Sequence, residues 1–218
     1  MRLNSKEIQS IVRIAKEIYG EDVSVYLFGS RTDDTKRGGD IDLLIRTESP
    51  KKGILDRIRM KARLKQTERL AREFEICDRH IQRIHEALDA LHAEIPMSVD
   101  FYAGLDQDQI RCMDQFIFRF SKLQDAMGAK LFRYVLTYLD EDVSSLPMRD
   151  VLNLLERFRI IDKADEWGYI RELRNEIAHD YPLLENDIVS VLNELISKVP
   201  LLESIYERLR QRIKSVSL

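Results

Sequence analysis

Cysteine is scarce. The chain has two in 218 residues, Cys77 and Cys112, in no shared motif and both among helix-forming neighbours. That argues against a disulfide framework or a zinc site, and makes a reducing cytoplasm the expected setting. Glycine and proline are also sparse, at 8 and 5. So few turn-formers exclude a collagen-like repeat and argue against a turn-rich all-β sandwich. No apolar run approaches the roughly 18 residues of a membrane span. The N-terminal residues Met1 to Glu7 lack the apolar stretch of a signal peptide. Acid and base nearly balance, for a net charge of −3, but unevenly. Residues 1–66 hold 15 basic and 10 acidic side chains, net +5, and residues 67–218 hold 20 and 28, net −8. The asymmetry suggests two units that meet near residue 66.

What is present is hydrophobic periodicity. Asn4 or Ser5 is placed to cap a helix whose apolar face is Ile8, Ile11, Val12, Ala15 and Ile18, with Gly20 at its end. Val23 to Phe28 is a β-branched and aromatic run that stops at Gly29-Ser30, and Asp40 to Ile45 forms a second strand. After Pro50 the chain reads as nearly continuous helix. Leu70, Phe74, Cys77, Ile81, Ile84, Leu88, Leu91 and Ile95 alternate steps of four and three, a heptad-like stripe. Further helices are expected over 106–139, 148–161, 163–180 and 185–213. The expected fold class is therefore α+β. A small α/β unit (1–66) precedes an all-helical up-and-down bundle (67–218).

Two constellations carry chemistry. In the first, Gly29 ends a strand without a Cβ, Ser30 adds a hydroxyl and an N–H, and Asp40 and Asp42 fall on one face of the next strand. A turn of this kind cradles phosphate oxygens. Two adjacent carboxylates repel and want a cation, and Mg²⁺ suits hard oxygen ligands beside phosphates. A lone Asp-x-Asp is more often a solvated strand edge, and the preceding Gly-Ser is what favours a site. The string Leu27-Phe28-Gly29-Ser30-Arg31 … Gly38-Gly39-Asp40-Ile41-Asp42-Leu43-Leu44 resembles the minimal nucleotidyltransferases of the polymerase-β superfamily over about residues 5–66. The resemblance implies that Gly29 and Ser30 hold a triphosphate, that Asp40 and Asp42 hold Mg²⁺, and that AMP passes from ATP to a hydroxyl. That family adds a third carboxylate on a further strand. No alternating strand with an acid follows Lys65, because Glu73 to Cys77 falls inside the helical stripe. The unit is therefore expected to lack that strand, to bind Mg-ATP, and to transfer poorly if at all.

The second constellation is Arg174-Asn175 … His179-Asp180-Tyr181 at a helix end that Pro182 enforces. Chemically, a His such as His179 can move a proton at a 2′-hydroxyl or a leaving oxygen, an Arg such as Arg174 can hold phosphate, and Asn175 can orient either. Arg174 and His179 lie about 7.5 Å apart along the axis and about 140° apart around it, so a site using both needs long reach, a distorted helix end or a second copy. The plainer reading is a C-terminal His beside helix carbonyls and an Arg paired with Glu176 or Asp180. The spacing Arg-x4-His-x-Tyr, with Met113 to Asp125 as a second helix, resembles the HEPN toxins of the HepT type over about residues 67–218. That resemblance implies a homodimer or higher homo-oligomer through the bundle. It also implies RNA as substrate, cleaved without a metal by Arg174 and His179, with Tyr181 as the hydroxyl that a cognate nucleotidyltransferase modifies with AMP. The joint expectation is a toxin–antitoxin-type fusion with RNA and ATP as partners, no membrane, and room for a separate cognate toxin or antitoxin chain. Two alternatives stay open: an active nucleotidyltransferase whose bundle binds substrate, and a non-catalytic assembly module. His80, His85 and His92 lack metal-ligand spacing and read as flank residues. Trp167 reads as core, with Phe116, Phe118 and Phe120 shared between core and interface.

Overall fold

Asn4 opens the first helix with a capping box. Its Oδ1 accepts from the Glu7 N–H at 2.9 Å, and the Glu7 carboxylate accepts from the Asn4 N–H at 2.8 Å. The computed structural model describes residues 3–32, 41–47, 53–91, 95–178 and 185–216. Helix α1 spans Ser5–Tyr19 and closes at Gly20, where φ is +96°. Strand β1 (Ser24–Phe28) and strand β2 (Asp42–Arg46) pair antiparallel, with Phe28 opposite Asp42 and Ser24 opposite Arg46. β2 begins two residues later than the sequence pattern suggests, an ordinary offset at an element end. Helix α2 then runs over Ile54–Leu91. Strands are followed by helices, as the fold class anticipates, and among the described residues the sheet has two strands.

The chain divides into two units, Met1–Arg69 and Leu70–Leu218. In the first, Ile11, Ile14, Ala15 and Tyr19 of α1 and Met60 of α2 are buried against the inner face of the sheet, which offers Val25, Leu43 and Ile45. Strand alternation leaves Tyr26, Phe28 and Leu44 outward, all about half exposed or more.

The second unit is helical. It contains the rest of α2, then α3 (Val99–Ala103), α4 (Gln107–Ala126), α5 (Phe132–Tyr138), α6 (Met148–Arg157), α7 (Ala164–Ala178) and α8 (Glu185–Val216). The heptad-like stripe is the buried side of α2. Leu70, Cys77, Ile84 and Leu91 are buried, and Phe74, Ile81 and Leu88 pack against the same core. Ile95 does not continue the stripe, because α2 ends at Leu91 and Ile95 is exposed. The single helix expected over 106–139 is interrupted by a π turn, Met127–Leu131. Gly128 lies there against Trp167, and a Cβ on it would come within 3.1 Å of the indole Cζ2. The wider turn therefore fits around a ring supplied by α7. Trp167 is core, as expected, and so are Phe116 and Phe120, whereas Phe118 is 52% exposed. Among the described residues no helix is long and apolar enough to cross a membrane.

Polar groups tie helices across this core. The Tyr206 hydroxyl donates to the Phe74 carbonyl at 3.0 Å and to Asp78, which also accepts from Arg210 at 2.7 Å. Burial, reinforced by the Asp78 hydrogen bond, raises the Tyr206 phenol above its ordinary pKa. Burial also pushes the Cys77 thiol up to about 12, with Glu73 and Asp78 adding to the shift. At pH 8 this cuts the reactive thiolate about a thousandfold relative to an ordinary cysteine. Iodoacetamide is accordingly expected to add one group to the native chain, at half-buried Cys112, and a second only after unfolding. Intact mass reads both steps.

Candidate functional site

The first site forms where β1 ends. Gly29 leaves the strand with φ +78° and enters a 3₁₀ turn, Gly29–Thr32. Thr32 Oγ1 closes that turn by donating to the Gly29 carbonyl at 2.7 Å. A positive φ of this kind disfavours any residue with a Cβ. The strand register brings Asp42 alongside, so that a Cβ at Gly29 would lie 2.2 Å from Asp42 Oδ2. The backbone at Gly29 and the Asp42 carboxylate thus meet in a cradle that only glycine permits.

Asp42 is half-buried and shares the outward face of the sheet with Phe28, Tyr26 and Leu44. A carboxylate oxygen beside an open backbone turn is a hard donor of the kind a divalent cation takes together with phosphate oxygens. Asp40 lies outside the described residues, as does the side chain of Ser30. Among the described residues no group of three or more His, Cys, Asp and Glu side chains clusters as a metal site.

Gly29→Ala tests the cradle. The substitution forces a left-handed backbone on alanine and displaces the Asp42 carboxylate. It is expected to cost about 1–2 kcal/mol of stability and to weaken any nucleotide binding at the turn. Thermal denaturation and titration calorimetry measure the two effects.

The second constellation lies at the end of α7. Arg174 and Asn175 are both half-buried. The Arg174 guanidinium does not pair with Glu176 along its own helix. It donates through Nε to Gln124 Oε1 at 3.2 Å and through Nη2 to Asp125 Oδ1 at 2.8 Å. Both partners sit on α4, just before the π turn. A cavity of about 200 Å³ opens beside them, lined by Gln124, Gly128, Trp167, Arg171 and Arg174 among others. Gln124 is buried, and its Nε2 has no hydrogen-bond partner among the described residues. His179 and Tyr181 lie outside the described residues. The structure therefore places Arg174 and Asn175 without describing their distance to the histidine or the tyrosine.

The Gln124–Asp125 clamp was not legible as such, although both residues stand in the stretch that resembles the second HEPN helix. The available signal was a glutamine next to core Leu123, at a position the apolar spacing would bury.

His85 is exposed and its Nε2 meets Glu203 Oε1 at 2.5 Å, whereas His80 is half-buried. His92 lies outside the described residues.

Comparison with known proteins bears on the first site. Residues 8–91 match the family model of the nucleotidyltransferase domain. That match supports nucleotide transfer, in general terms, as the chemistry of this part of the chain. No curated protein and no solved structure matches the chain.

Proposed function

We propose that this chain is a nucleotidyltransferase joined to a helical ribonuclease in the manner of a toxin–antitoxin fusion. Its N-terminal unit binds Mg-ATP and transfers AMP to the Tyr181 hydroxyl. The observation that carries the reading is the Gly29–Asp42 cradle inside a segment that matches the nucleotidyltransferase domain. Mg²⁺, when bound, neutralises triphosphate charge and favours departure of pyrophosphate. The donors the sequence offers to it are Asp42 and, two residues earlier, Asp40.

The Gly29 turn and the Ser30 N–H orient the phosphates and leave the α-phosphorus open to attack. The tyrosine oxygen then forms a new P–O bond as the bond to pyrophosphate breaks, and the hydroxyl proton leaves to solvent. Among the described residues the sheet has two strands and none beyond β2 to carry a further carboxylate, and on this reading loss of the proton to solvent is unassisted. Transfer is accordingly slow.

The experiment is intact mass after incubation with Mg-ATP. The expected result is a gain of one AMP by the wild-type chain and none by Tyr181→Phe. No gain by wild type, or an undiminished gain by Tyr181→Phe, overturns the assignment of the acceptor.

A specific observation favours the ribonuclease half of the reading. Arg174 is held by α4 at the rim of a cavity, oriented by two hydrogen bonds, rather than splayed into solvent. Nε and Nη2 are taken by those bonds, which leaves Nη1 as the donor to grip a phosphodiester. His179 would take the proton of a 2′-hydroxyl as its oxygen attacks the adjacent phosphorus. The 5′-oxygen would depart with a proton, leaving a 2′,3′-cyclic phosphate and a 5′-hydroxyl. An adenylylated Tyr181 two residues away would place a bulky negative group where RNA must sit, so transfer by one unit would silence the other.

A further inference from the structure

One surface of the helical unit has no part in either site. On α4, Phe118 is 52% exposed and has two cations near its ring. The Arg119 guanidinium sits 5.3 Å from its ring centroid, and Lys122 Nζ sits 5.6 Å away. Helix α2 runs beside it, and Gln115 Nε2 on α4 donates to the Arg83 carbonyl on α2 at 3.3 Å. Arg79 and His80 come from that stretch of α2.

Four basic groups, Arg79, His80, Arg119 and Lys122, thus share one patch. Arg83, at its edge, is spent on Glu86 at 2.7 Å. Arg119 and Lys122 have no carboxylate partner among the described residues. Two nitrogens, His80 Nδ1 and Arg119 Nε, are buried with no hydrogen-bond partner among the described residues. The local field is positive. His80 holds its proton less readily than an ordinary histidine, through burial first and then through Arg119, Arg79 and Lys122.

A half-exposed ring flanked by cations that lack carboxylate partners among the described residues offers a flat apolar face beside a track for anions. We propose that the Phe118 patch binds single-stranded nucleic acid, with one base stacked on the Phe118 ring and the flanking phosphates held by Arg119, Lys122 and Arg79. The chemistry matches the combination by which single strands are held without sequence readout, an aromatic platform within a cationic track. A duplex buries its base faces and offers nothing to the ring. An acidic protein segment would satisfy the charges but leaves the stack unused. The inference stands apart from the ribonuclease reading, since it concerns retention of a strand and not its cleavage.

The test uses the full chain carrying His179→Ala, so that no cleavage intervenes. Fluorescence anisotropy follows a labelled 12-nucleotide strand, as RNA, as DNA and as a duplex. Single strands of either sugar are expected to bind, with the stronger arm identifying the natural ligand, and the duplex to bind weakly. Phe118→Ala is expected to weaken binding about five- to 150-fold, the range for losing one base–aromatic stack. Phe118→Tyr is expected to stay within about twofold and Phe118→Leu to behave like alanine, because the ring face matters and not hydrophobicity. Arg119→Ala with Lys122→Ala is expected to flatten the slope of log K against log salt by about 1.4, for two phosphate contacts on a single strand.

Equal affinity of Phe118→Ala and parent overturns the proposal. So does leucine binding as tightly as tyrosine, preference for duplex, or a Phe118→Ala chain whose sedimentation shows a dimer fallen to monomer. Cleavage by wild type with patch-independent binding defeats this inference alone. Patch-dependent binding without cleavage defeats the ribonuclease reading alone.

Discussion

Asp42→Asn is expected to lower AMP transfer about 10²–10³-fold, the scale for removing one electrostatic contact from the charge that develops in a transition state. The change is nearly isosteric, so the Gly29 turn keeps its neighbour and the sheet its register. What disappears is the negative charge. A neutral amide oxygen holds a divalent cation poorly, and without the cation the triphosphate repels the attacking oxygen. Asp42 is half-buried on the outward face of the sheet, not in the core. Stability should therefore change by no more than about 0.5 kcal/mol. Incorporation of labelled AMP under single-turnover conditions gives the rate, and a thermal melt gives the control. Full activity in Asp42→Asn would remove the Gly29–Asp42 cradle from the chemistry, whatever the segment resembles.

His179→Ala is expected to reduce RNA cleavage about 10²–10⁴-fold, the contribution of a positioned general acid or base. The assay is cleavage of a labelled oligoribonucleotide in the presence of a chelator, with the product ends identified. A 2′,3′-cyclic phosphate is the signature of attack by the neighbouring hydroxyl. Arg174→Ala should produce a comparable loss by releasing the phosphate. It also leaves Gln124 Oε1 and the Asp125 carboxylate without their partner, so part of its effect is structural. The histidine substitution is therefore the cleaner of the two. Cleavage that needs Mg²⁺, or that survives His179→Ala, would sink the assignment of the helical unit.

How much of this was legible in the sequence depended on how local the cause was. Helix α1 is decided within a few residues of Asn4, by its cap, its apolar spacing and Gly20. The buried side of α2 follows from a stripe that any helix must display. The Gly29–Asp42 encounter was readable because a strand, a glycine and a short loop leave few ways for the next strand to return. Features made by distant residues were not readable. The π turn lies against Trp167, some forty positions later, which packs on Gly128. Among the described residues the carboxylate partner of Arg174 is Asp125 on another helix, whereas local spacing offered Glu176 or Asp180, the latter outside the described residues. The Phe118 patch draws on α2 and α4, and nothing in either segment alone announces that His80 and Arg119 will face each other's charge.

The π turn at Met127–Leu131 is a one-residue offset written into a long helical run. An α-helix advances about 100° per residue. Downstream side chains therefore point where they do only because that surplus residue has been counted. Phe132, Val135 and Leu136 are all fully enclosed, and they depend on the offset for their bearing. Upstream, Gln124 and Asp125 keep theirs, so the two ends of the run are indexed separately. The arginine clamp and the hydrophobic interior can then be tuned by different substitutions, with the indole of Trp167 as the pivot between them.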